Sequence, residues 1–173
     1  SSMVESLGTL LRATLSNKKP LVSLDYEIGL AGSYMTIQKI RFEDRLLFHV
    51  ECPEELGKAL ILPLTIQPLL ENAIRYGMEE MMDTCEISIR TRKEGTLLIV
   101  EVSNEGSVFE DSLLEKLQDG TKNAHGFGIG LVNIHQRIQM LFGESYGLSF
   151  KNQDEKAIAI ITIPYKTEED DYA

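Results

Sequence analysis

The chain has 173 residues and a mass of 19.4 kDa, 43% of them apolar, which is enough for one ordinary domain and a partial second element. Its 17 Lys and Arg against 27 Asp and Glu give a formal charge of −10, a field that repels phosphate backbones and anionic membranes and so excludes a general nucleic-acid binder. Cys52 and Cys85 stand far apart with no CxxC and no matching His spacing, which argues against a disulfide framework or a zinc site and fits reduced, cytosolic thiols.

The longest apolar stretches, around Ala59 to Ile66 and Ala157 to Ile163, fall short of the roughly 18 residues that a membrane span needs. No basic-then-apolar leader opens the chain, and the Ser1-Ser2 start suggests a piece of something longer. Met3, Leu7, Leu10, Leu11 and Leu15 recur at helical spacing, and Ser16 to Pro20 reads as a turn. Ser23 is placed to cap a second helix running to Phe42, with Asp25 and Glu27 near its positive end. Its two apolar stripes, Leu24, Ile28, Ala31, Met35 and Leu30, Tyr34, Ile37, predict two neighbours and a helical hairpin.

After Asp44 the pattern changes to a strand over Leu46 to Cys52, then a helix over Leu62 to Tyr76 that starts or kinks near Pro68. Thr84 to Arg92 and Thr96 to Val102 predict a hairpin turning at Lys93-Glu94-Gly95. Glu105 to His125 is a long polar loop with a short helical face at Leu113, Leu114 and Leu117. A helix follows from Gly128 to a stop at Gly143, then a hairpin of Tyr146 to Lys151 and Ala157 to Pro164, and an acidic, disordered tail from Thr167.

Three polar constellations stand out. In the segment Pro68 to Gly77, the residues Leu69, Leu70, Ala73 and Ile74 face the core, so Glu71, Asn72 and Arg75 share the outer face, a set able to hold hydrated Mg²⁺ and its phosphates. An ordinary solvated face with a Glu71 to Arg75 pair is the alternative. Gly126-Phe127-Gly128-Ile129-Gly130-Leu131 precedes a helix and suits an anionic phosphate, although a plain glycine hinge fits equally. Asn104 and Gly106 end a strand, where the amide could meet a base edge or simply close a turn.

The order and spacing of the three resemble the ATP-binding domain of the GHKL superfamily (gyrase, a heat-shock chaperone, histidine kinases, mismatch-repair proteins), most closely the LytS-like sensor histidine kinases. The matching segments are Gln67 to Gly77, Asn104 to Gly106, and Gly126 to Ile138 with Asn133 and Arg137. Tyr34 to Phe42 is also similar to the second helix of that family's dimerisation region, so the likeness covers roughly residues 5 to 164.

The resemblance implies an α/β two-layer sandwich of the Bergerat type, a mixed sheet with helices on one face, preceded by a partial helical hairpin. Residues 1–44 would be the end of the dimerisation region, 45–165 the ATP-binding catalytic domain with a lid at about 105–125, and 166–173 an acidic tail. It further implies Asn72 on Mg²⁺, Arg75 and Tyr76 near the triphosphate, Asn104 and Gly106 at adenine, and Gly126, Gly128, Gly130, Leu131 and Asn133 on the phosphate side, with Glu71 a candidate catalytic base. ATP and Mg²⁺ would be the cofactors, a response regulator the partner, and the intact protein a homodimer on the cytoplasmic side of a membrane reached through segments outside this chain. Departures are Asn104 for the usual Asp, Val108 for a second glycine, Arg75-Tyr76 for Lys-His, and Lys156-Ala157 for Gly-Thr. Among His49, His125 and His135 none has the phosphoacceptor context, and they are expected on a strand, in the lid and on a helix surface. The chain alone is therefore not expected to autophosphorylate. A nucleotide-binding pseudokinase or a GHKL ATPase are the alternatives.

Overall fold

A computed structural model describes residues 2–16, 20–79, 83–106, 108–118 and 127–171. The elements in order are α1 (Ser2–Ser16), β1 (Val22–Ser23), α2 (Leu24–Phe42), β2 (Leu46–Glu51), β3 (Leu60–Ile61), α3 (Ile66–Ile74), β4 (Cys85–Glu94), β5 (Leu97–Glu105), α4 (Leu113–Gln118), α5 (Phe127–Phe142), β6 (Gly147–Gln153), β7 (Lys156–Pro164) and the single turn α6 (Glu168–Asp171). Five strands form one mixed sheet in the order β2-β4-β5-β7-β6, with β2 parallel to β4 and every other pair antiparallel.

Helices α3, α4 and α5 pack on this sheet. The strand residues facing them, among them Ile87, Ile89, Leu98, Val100, Val102, Ala159, Ile161 and Ile163, are almost fully buried. The opposite face is polar, with Arg92 held to Glu101 at 2.8 Å and Arg90 to Glu51 at 3.1 Å. This is the two-layer α/β sandwich that the pattern predicts.

Ser23 caps α2 as expected, its hydroxyl accepting from the Tyr26 N–H at 3.2 Å. α2 packs against α1, α3 and β2, and its Leu24, Ala31, Met35 and Phe42 enter the same apolar core as the sheet. A two-stranded ribbon, Val22 on Ile61 and Ser23 on Leu60, adds a second tie between hairpin and sandwich.

The helix expected over Leu62 to Tyr76 is shorter. Leu60 and Ile61 are drawn into the ribbon, Leu64 takes φ +59°, and α3 opens only at Ile66. Pro68 then lies in the first turn, where its missing N–H has no intrahelical partner to lose. Past Ile74 the helix widens into a π turn over Arg75–Glu79. The first hairpin turns at Gly95-Thr96, not Lys93 to Gly95, because the ladder holds through Glu94 opposite Leu97. Glu168–Asp171 forms a helical turn where an unstructured tail was expected, the Asp170 carboxylate accepting from the Thr167 N–H at 2.9 Å.

His135 differs from expectation most clearly. It is 8% exposed, and its Nδ1 accepts the Leu148 N–H at 3.0 Å, an arrangement that requires the neutral ring. The ring lies so close to Gly147 that a Cβ there would stand 2.5 Å from Nδ1, and Gly147 has φ +155°, so only glycine fits. Burial depresses the His135 pKa below the usual 6.5. Its contribution to stability is therefore full above the unfolded value and is lost as pH falls below it. Chemical denaturation between pH 7.5 and 5 should show stability falling with acid, and His135→Gln should flatten that dependence; an unchanged slope in the variant would count against this assignment.

Candidate functional site

The described site residues lie on the helix side of the sheet, around α3. Asn72, expected on an outer face, is 2% exposed, because α3 touches the sheet, α2 and α5 and so buries all but one flank. Its Oδ1 has no hydrogen-bond partner among the described residues. Leaving a buried amide oxygen unpaired costs about 1–3 kcal/mol, so packing alone gives no reason for asparagine here. Glu71 is exposed, accepting from Gln67 Nε2 at 3.2 Å, and Arg75 is exposed one turn on.

The π turn carries the chain back against the end of β5. A Cβ built at Gly77 would stand 2.5 Å from Cys85 Sγ and 3.4 Å from Asn104 Cβ, so the turn can approach the strand only because residue 77 has no side chain. Asn104 is 2% exposed on the helix-facing side, with Ala157 beside it on β7. Its Nδ2 donates to the Glu105 carbonyl at 3.2 Å. Gly106, φ +89°, turns the chain out of the strand.

The first half of the expected lid is packed into the fold. Phe109 is buried, its ring edge-on to Phe150 at 4.9 Å and to Tyr76 at 6.2 Å. Asn152 on β6 grips the backbone of that residue twice, Oδ1 accepting from the Phe109 N–H at 2.8 Å and Nδ2 donating to its carbonyl at 2.7 Å. Asn152 was absent from the sequence-based candidates; the two residues are 43 apart, and no local pattern announces the pairing. Leu113 and Leu117 of α4 are buried as their spacing predicts. Residues 119–126, with His125 and Gly126, lie outside the described residues.

Gly128 and Gly130 fall within the first turns of α5, and a Cβ at Gly130 would meet nothing within 4 Å, so backbone there faces open space. Leu131 is buried and Asn133 is exposed. The donor set around α3 and α5 thus combines an unpaired amide oxygen, exposed cationic Arg75 and a helix N-terminus, a combination suited to a metal-bound polyphosphate.

Residues 57–167 match the family described as histidine kinase-, DNA gyrase B-, and HSP90-like ATPase, and residues 1–46 match the histidine kinase family. The chain belongs to the histidine kinase-, DNA gyrase B-, and HSP90-like ATPase family. It is 41% identical over 169 residues to the sensor histidine kinase YesM of Bacillus subtilis and 30% identical to the sensor histidine kinase BtsS of Escherichia coli, with 97% of the chain covered in each case. The sensor protein LytS of Streptococcus agalactiae is 29% identical over 170 residues, covering 96% of the chain. The chain spans 28% of the length of YesM and BtsS and 29% of that of LytS. The solved catalytic domain of the histidine kinase ThkA has the same fold, with a TM-score of 0.63 at 19% identity over 86% of this chain and 97% of that one. ThkA solved in complex with the response regulator TrrA aligns with a TM-score of 0.60 at 19% identity, over 94% of this chain and 48% of that one. The LytS-like likeness seen in the sequence and the mixed-sheet sandwich both hold.

Gly77→Ala tests the close approach of α3's end to β5. Overpacking against Cys85 should cost about 1–3 kcal/mol in denaturant unfolding, and Cys85→Ala, which removes the obstructing sulfur, should restore part of that loss in the double variant. Strict additivity of the two substitutions would show that the contact is not the constraint.

Proposed function

We propose that this chain is the ATP-binding catalytic part of a two-component sensor histidine kinase. It would hold Mg-ATP between α3, α5 and the end of β5 for transfer of the γ-phosphoryl group to a histidine outside this chain, and thence to a response regulator. The observation that carries the proposal is the buried, unpaired Oδ1 of Asn72. Mg²⁺ takes oxygen ligands, keeps several waters and shares phosphate oxygens, so one neutral amide oxygen on a rigid helix fits it. When bound, the ion would neutralise developing phosphate charge.

The chain's own residues supply position. Asn104, fixed in the sheet, presents an amide to the edge of a base; it can accept a hydrogen bond as aspartate does, without the charge. Arg75 and Tyr76 follow Asn72 on the same side of α3 and its π turn, within reach of phosphate, and the backbone N–H groups at the start of α5 with Gly128 and Gly130 offer a further anion cradle. In the transfer, an imidazole nitrogen forms a bond to the γ-phosphorus as the bond to the ADP oxygen breaks, and the imidazole proton leaves. A neutral imidazole has its own lone pair, so placement contributes more than a base; Glu71, exposed beside Asn72, is the available acceptor.

The response regulator as partner is supported by the relatives' description as sensor histidine kinases and by the ThkA complex. Dimerisation in the intact protein is supported by the match of residues 1–46 to the histidine kinase family. Among the described residues no helix is long and apolar enough to cross a membrane. A cytoplasmic position on a membrane-anchored sensor is supported by the relatives being sensors more than three times the length of this chain.

Calorimetric titration with ATP, with and without MgCl₂, tests the proposal. Binding should require Mg²⁺, and at 100 times the dissociation constant the ligand should stabilise the fold by about 2.7 kcal/mol. Asn72→Ala should abolish the Mg²⁺-dependent binding while costing less than about 1 kcal/mol of stability, since the lost oxygen makes no hydrogen bond. A folded wild-type chain that binds no ATP would sink this reading.

A further inference from the structure

Glu27 lies on α2, outside the ATPase-family match, yet it is 2% exposed. Its Oε1 accepts the Thr65 N–H at 3.1 Å, 38 residues away, and the N–H groups of Leu64 and Ile66 also favour its charge. The Thr65 N–H lies at the mouth of α3. Thr65 is the N-cap residue of α3 but makes no side-chain cap, because its hydroxyl donates to the Leu62 carbonyl at 2.9 Å. The missing cap therefore comes from another helix.

Arg137 of α5 closes the arrangement. Its guanidinium donates to the Pro63 carbonyl at 2.9 Å and its charge favours the Glu27 anion. Between them runs the strained Leu64, at φ +59°. Glu27 Oε2 has no hydrogen-bond partner among the described residues, and burial is the largest influence on the group, raising its pKa. A buried carboxylate is a costly acceptor, where the ordinary device is a local N-cap side chain that reaches only the N–H groups inside its own helix. What the local cap cannot do is join α3 to α2.

We propose that Glu27 is a positioning residue for the nucleotide site, tying the start of α3 to α2 so that the placement of Asn72 depends on the register of α2. The inference rests on the ATP-binding reading above. A shift of α2 by one residue, about 1.5 Å along its axis with about 100° of rotation, carries the carboxylate away from Thr65. Asn72 is seven residues past that cap on a helix of nine, so a released N-terminus re-aims it directly. A signal that slides or rotates α2 thereby reaches the metal-binding amide without passing through the sheet.

The test compares Glu27→Ala, Glu27→Asp and Glu27→Gln with Met35→Ala, a core truncation on the same helix. Mg-ATP affinity and amide hydrogen exchange of residues 66–74 are measured on each. Glu27→Ala should weaken Mg-ATP about tenfold and speed exchange in α3. Glu27→Gln, whose amide oxygen can still accept from Thr65, should stay within about threefold of wild type, and Glu27→Asp, one methylene short, should behave as the alanine variant. Met35→Ala should lower the melting temperature with affinity unchanged.

Wild-type affinity in Glu27→Ala, or equal weakening in Met35→Ala, overturns the proposal. If Glu27→Ala does not fold, the Asp and Gln pair decides by the same criterion. If wild type binds no Mg-ATP, the ATP reading falls, and exchange alone judges the tie: loosening of α3 in Glu27→Asp but not in Met35→Ala upholds it, and equal loosening in both refutes it.

Discussion

Helix α3 must bury six of its nine residues and still keep one amide oxygen unpaired, and the surrounding elements answer that requirement one side at a time. The sheet covers its lower face through β4 and β5, α2 and α5 flank it, its N-terminus is met by a carboxylate from α2, and its C-terminus widens into a π turn whose Gly77 lies against Cys85 and Asn104. Each contact removes a degree of freedom from Asn72. A helix held on three sides and at both ends keeps the Asn72 amide from relaxing into a hydrogen bond elsewhere.

The same logic explains the segment that the resemblance makes the start of a lid. The chain leaves β5 at Gly106 and is anchored where Phe109 enters the aromatic contacts with Phe150 and Tyr76. Asn152 satisfies the backbone of Phe109 on both its N–H and its carbonyl, so that a buried loop residue carries no unpaired peptide. Tyr76, placed by resemblance near the phosphates, thus also links the α3 end to the lid root. At the far end of the sheet His135 and Gly147 play the corresponding structural part, seating α5 on β6 through a ring nitrogen and a bare Cα.

These arrangements make the hairpin and the sandwich continuous. α2 contributes apolar side chains to the common core, a ribbon joins β1 to β3, and Glu27 reaches α3. A helix that is both one arm of the N-terminal hairpin and a wall of the ATPase fold is well placed to carry a displacement from one to the other. The physical requirement for such coupling is a contact that exists in one register only, and a single buried carboxylate on the Thr65 N–H meets it better than an apolar stripe, which tolerates sliding.

The order and kind of the longer helices and of the five strands of the main sheet were legible in the residues, because helical and strand periods, the Ser23 cap, the Gly143 stop and the place of Pro68 are set by neighbours within about four positions. So were the three polar segments, whose spacing carried the family likeness before any fold was known. What only the tertiary structure decided is how these pieces are used: that Asn72 is buried and not on an open face, that His135 is a core acceptor and not a surface residue, that Asn152 holds the backbone of Phe109, and that Glu27 accepts the N–H at the start of a helix it does not belong to. The partners in those contacts lie 13, 43 and 38 residues away, His135 to Leu148, Asn152 to Phe109 and Glu27 to Thr65, and a polar side chain's burial depends on which distant strand or helix arrives beside it. Local pattern specifies a face; it does not specify what covers that face.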